Sequence, residues 1–195
     1  MSLFETAALL LLGCAAGIVS TIAGGAGVLT TPALIFFGHA PINASATGFI
    51  ALSPASFAAA WVDRKRLTGV TRAHKIVCLV SFLGAVAGGA ALLATGEALF
   101  RAMIPGLLGL ATLLYWIAPH AQRLVAAREG ESYPPAMIAA FGAAGVYSGY
   151  FGTGYGVVLL ALLRAAGVGE YVRANMLKNL IGAVASAGSV LFFAN

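Results

Sequence analysis

Three glycines, four hydroxyl side chains and a proline crowd the stretch STIAGGAGVLTTP, Ser20 to Pro32, inside a run that is otherwise apolar. A related patch, SGYFGTGYG from Ser148 to Gly156, stands 128 residues further on. Glycine permits positive φ angles and close approach of backbones. In hydrocarbon, an irregular segment survives only when it is buried in protein or lines a wet cavity. A helix that starts just beyond such a break presents free N–H groups and a partial positive charge, which suits an anion. Ser20, Thr21, Thr30, Thr31, Ser148 and Thr153 add hydroxyl donors. Each patch reads as half of a midplane anion site. The alternative is a pair of tight helix crossings whose glycines only relieve crowding, and the duplication of the patch favours the site.

Lys178 is the one basic residue well inside an apolar span. It lies seven residues past Tyr171, roughly 10 Å into a helix. An ionisable residue at that depth is a functional candidate, against the alternative that its stem snorkels to the interface. Glu5, Asp63, Glu97 and Glu170 fall at span ends, so no carboxylate is expected in mid-membrane and a cation substrate is disfavoured. Cys14 and Cys78 have no C-x-x-C spacing and read as packing residues. His39, His74 and His120 share no metal-ligand spacing, so no metal site and no cofactor is expected. Without a histidine cluster, a nucleophile–base pair or paired carboxylates, an enzyme is a weak reading.

Composition sets the elements that must hold these groups. Of 195 residues, 61% are hydrophobic and 9% charged, with mean hydropathy +0.95, whereas a soluble domain carries about 25% charged residues. The chain is therefore expected in a membrane, as an all-α polytopic bundle. The first apolar run lacks a basic leader, unlike a cleavable signal. The net charge of +5 does not indicate nucleic acid, because Arg64, Lys65, Arg66, Arg72 and Lys75 share one short loop between apolar spans. Such a loop is normally cytoplasmic. Two simple spans separate it from residues 119–134, so both loops are expected on the cytoplasmic side.

Unbroken apolar stretches cover roughly 44–62, 76–95, 98–118 and 171–194, while 5–38 and 135–166 are interrupted by the glycine patches. This gives about six membrane segments, two of them glycine-broken. Gly17 matches Gly145, Ser20 matches Ser148 and Gly24 matches Gly152, as in a transporter built by duplication. The organisation expected is a first repeat over 1–118, a cytoplasmic linker over 119–134 and a second repeat over 135–195. The last residue, Asn195, corresponds to Leu67 of the first repeat. By that symmetry the second repeat stops about two helices short, as in a fragment, a natural short form or an assembly in which another subunit supplies them.

STIAGGAGVLTTPALIFFG, followed by PINASAT and, one helix later, by the basic DRKRL, resembles the first motif of the sulfite exporter TauE/SafE family of membrane permeases. SGYFGTGYG and RANMLKN resemble the second motif. The resemblance covers essentially the whole chain. It implies transport of a small sulfur-containing or organic anion, such as sulfite, a sulfonate or sulfoacetate, across the inner (cytoplasmic) membrane. Ala26 and Tyr155 depart from the glycine clusters of the family, and the chain is shorter than a typical member. The candidate substrate-binding set is Ser20, Thr21, Gly24, Gly25, Gly27 and Thr30, then Ser148, Gly152, Thr153, Gly154 and Gly156, with Asn175 and Lys178 from the following helix. The partners on this reading are a small anion, the lipid bilayer and, in an oligomer, a further copy, with no nucleic acid. The competing reading is a membrane-embedded assembly or anchoring protein that transports nothing.

Overall fold

A computed structural model of the chain describes residues 3–22, 27–121 and 133–193, and every regular element among them is helical. In chain order these are α1 (Leu3–Ile22), α2 (Gly27–Phe36), α3 (Pro41–Asp63), α4 (Arg72–Ala94), α5 (Glu97–Ala121), α6 (Pro135–Tyr150), α7 (Tyr155–Ala165) and α8 (Tyr171–Phe193). Among the described residues, α3 and α4 are long and apolar enough to cross a membrane. The distribution of side chains fits that solvent. Ala16, Ala44, Ala85, Ala174 and Ala185 are buried, while Leu11, Ile18, Phe36, Trp61, Leu79 and Trp116 face outward. In lipid an outward leucine costs nothing, and helices associate where small residues let backbones approach.

The most extensive pairing, α4 against α6, shows this directly. Gly84 and Gly88 of α4 meet the α6 backbone, a Cβ at Gly84 falling 2.5 Å from the Gly142 carbonyl oxygen. From the other side, a Cβ at Gly145 would fall 2.6 Å from the Ser81 carbonyl oxygen. A Cβ on Gly17 of α1, which the sequence pairs with Gly145, would meet nothing within 4 Å among the described residues. The same residue type thus packs tightly in α6 and lies open in α1.

Two sets of contacts fix the ends of the bundle. At one end Tyr133 and His74 Nε2 hydrogen-bond at 3.1 Å. There Thr71 caps α4, its N–H donating to His74 Nδ1. Arg173 Nη1 donates to the Thr68 carbonyl at the same end, over 2.8 Å. At the opposite end Thr95 and Tyr150 pair through their hydroxyls at 3.2 Å, and the Ile42 N–H that opens α3 donates to Glu97 Oε1 at 3.1 Å. The chain therefore enters α6 beside His74, reaches the far end at Tyr150, and is back beside Thr68 when α8 begins. Segment 135–166 folds back on itself as an α6–α7 hairpin and does not run on past its glycines. The α2 and α7 helices close alike: the Gly38 and Gly167 N–H groups bond back three residues and the next N–H five residues, to Leu34 and Leu163. This is the double bond of a Schellman ending.

Candidate functional site

The turn between α6 and α7 covers residues 151–154. Gly152 and Gly154 adopt φ of 69° and 80°, left-handed values that a Cβ opposes. The Tyr147 hydroxyl donates to the Thr153 carbonyl and ties the turn to α6. No side chain caps the N-terminus of α7; the Tyr155 and Val157 N–H groups donate to the Gly152 and Gly154 carbonyls of the turn, and the cavity-lining Gly156 sits between them at the positive end of the helix. The start of α2 abuts this turn: a Cβ on Gly27 would fall 2.8 Å from Thr153 Oγ1. The two patches, distant in sequence, meet at this point.

They meet on a cavity of about 90 Å³. Gly27, Thr30 and Thr31 reach it from α2, Gly152, Tyr155 and Gly156 from the turn and α7, and Ser20 and Ser148 from the helices before each patch. One face of α3 (Ser45, Gly48, Leu52, Ser56) and one face of α8 (Lys178, Asn179, Gly182, Ser186) form the long walls. Lys178 is 3% exposed and is the one charged side chain among the described lining residues. Ser45 Oγ, also buried, has no hydrogen-bond partner among the described residues. An unmade bond of that kind costs about 1–3 kcal/mol, so the wall holds donor capacity that a polar guest could use.

Of the sequence-derived set, Ser20, Gly27, Thr30, Ser148, Gly152, Gly156 and Lys178 line this one cavity. Gly154 belongs to the turn but not to the wall, and Thr153 is fully buried behind it, against Gly27. Asn175 sits one turn before Lys178 on α8 and does not reach the cavity. Gly24 and Gly25 lie outside the described residues, as does the side chain of Thr21. Sequence reasoning passed over Ser45, Ser56, Asn179 and Ser186. A signal existed, since 45, 48, 52 and 56 keep the three-and-four spacing of one helix face. Asp63, at the end of α3, accepts from Asn179 Nδ2 at 2.8 Å, so a carboxylate does stand beside the wall. It is close enough to act electrostatically on Lys178.

The family model described as "Sulfite exporter TauE/SafE" matches residues 9–195. The chain belongs to the sulfite exporter TauE/SafE family. Among its relatives is the "Probable membrane transporter protein YfcA" of Escherichia coli strain K12, 29% identical over 179 residues, which are 91% of this chain and 66% of the relative. A "Probable membrane transporter protein" of Haemophilus influenzae is 30% identical over 160 residues, 78% of this chain and 60% of its own length. The chain thus spans about two thirds of the length of the curated relatives it matches. No solved structure matches it. With the family's membrane-transporter relatives and the outward apolar side chains, TauE/SafE membership establishes a membrane protein.

Proposed function

We propose that this chain is the substrate-binding part of a multi-pass permease of the inner membrane. It moves a small sulfur-containing or organic anion, of the sulfite and sulfonate class, without chemical change. The observation that carries the reading is the convergence on one cavity of the α7 N-terminus at Tyr155–Gly156, of Gly27, Thr30 and Thr31 from α2, and of the buried Lys178 ammonium. Helix N-termini supply N–H donors and positive potential, and transporters built from repeats bind their substrates between discontinuous helices. The common offset of 128 residues between Gly17 and Gly145, Ser20 and Ser148, and Gly24 and Gly152 supports a repeat. On this reading residues 1–118 and 135–195 are two repeats, with glycine-broken segments among about six in the membrane, joined by a cytoplasmic linker over 119–134.

Vesicles reconstituted with the purified chain are expected to take up sulfite faster than protein-free vesicles, with a rate that saturates. Flux no greater than in protein-free vesicles would leave the assembly or anchoring reading in its place. The orientation has its own check. A cysteine at Thr68, exposed in the basic loop, is expected to resist an impermeant thiol reagent in intact cells and to react once the membrane is opened. Ready labelling in intact cells would reverse the topology.

A further inference from the structure

Among the described residues Asp63 is the acidic group that the cavity walls engage, and the anion reading gives it no task. Asn179 is 8% exposed, lines the cavity and donates from Nδ2 to Asp63 Oδ2. Its chain neighbour Lys178 lines the same wall. A carboxylate ending α3 lies where the helix dipole opposes negative charge, so its stability there depends on nearby donors and cations. Arg64, Lys65 and Arg66 follow it but are exposed to the surroundings, where their charges are screened.

We propose that Asp63, oriented by Asn179, is the resident counter-ion of Lys178 and competes with any anion that enters the cavity. The inference rests on the permease reading for its substrate. One ammonium cannot serve two anions without bringing like charges together, and that repulsion opposes binding. The carboxylate would therefore weaken anion binding enough for release and would weigh more heavily on a dianion than on a monoanion. It sets both affinity and charge selectivity without touching the anion.

The test uses the purified chain in detergent, titrated calorimetrically in alkaline buffer with sulfite, there mostly a dianion, and with methanesulfonate, a monoanion. Asp63→Asn keeps the shape and an acceptor for Asn179. It is expected to bind sulfite about tenfold tighter, the scale of one charged contact, and methanesulfonate with a smaller gain. Equal or weaker sulfite binding, or an equal gain for both anions, overturns the proposal. A thermal-unfolding cycle of Asp63→Asn, Lys178→Met and the double variant gives a readout independent of any ligand. Non-additive shifts support the pair, and additive shifts overturn it. If neither anion binds to either protein, the sulfur-anion reading falls, while the cycle by itself still decides whether the pair exists.

Discussion

Lys178→Met is expected to slow sulfite flux by tenfold to a hundredfold while leaving the amount of protein in the membrane unchanged. Methionine keeps most of the stem's bulk and removes the charge. A hydrogen bond to a charged group contributes about 1.5–3 kcal/mol, and each 1.4 kcal/mol is about a factor of ten in binding. Nothing else charged lines the cavity among the described residues, so the neutral N–H groups and hydroxyls would have to hold the anion alone. Lys178→Arg, which retains charge on a longer and planar head, is expected to recover part of the flux. Parent-like transport by Lys178→Met would show that the ammonium serves only to support the helix. The anion site would then rest on the α7 N-terminus and the hydroxyls of the cavity wall.

The second large effect concerns packing and turns on a sign. Within a helix, Gly→Ala is favourable by up to about 1 kcal/mol through backbone entropy. At Gly149 the expected sign is the opposite. A Cβ there runs into the Ala85 carbonyl oxygen and falls 2.8 Å from the Gly89 nitrogen. Those atoms belong to the α4 backbone and have no rotamer by which to give way. Moving two helices apart along their closest approach should exceed the 1–3 kcal/mol typical of over-packing a core, where side chains can yield, and reach about 4 kcal/mol. Gly149→Ala is accordingly expected to lower the thermal midpoint strongly and to broaden the size-exclusion peak. Gly17→Ala, where the added methyl meets nothing within 4 Å among the described residues, should match or exceed the parent. Equal midpoints for the two variants would mean that α4 and α6 do not approach as closely as described.

The membrane character of this protein was determined by its sequence, because so small a charged fraction cannot cover a surface in water. Its family was legible too, from short motifs whose glycines and hydroxyls keep their order and spacing. So was the candidacy of Lys178, since a cation that deep in an apolar run is conspicuous whatever the fold. Gly152 and Gly154 carry the residue type that their positive φ angles favour, which gives the turn between α6 and α7 a local cause. Which polar side chains face the cavity was not legible. Hydropathy is distributed almost evenly around α3, so the sequence alone gives no apolar stripe by which to orient that helix. Packing against α8 and α2 turned Ser45 and Ser56 inward, and packing on α8 selected Asn179 while leaving Asn175 off the wall. The return of segment 135–166 to its starting end, the meeting of Gly27 with Thr153, and the bond from Asn179 to Asp63 across 116 residues were likewise decided by tertiary structure. Each depends on how close two backbones can come, and that distance is set jointly by the small residues of both helices.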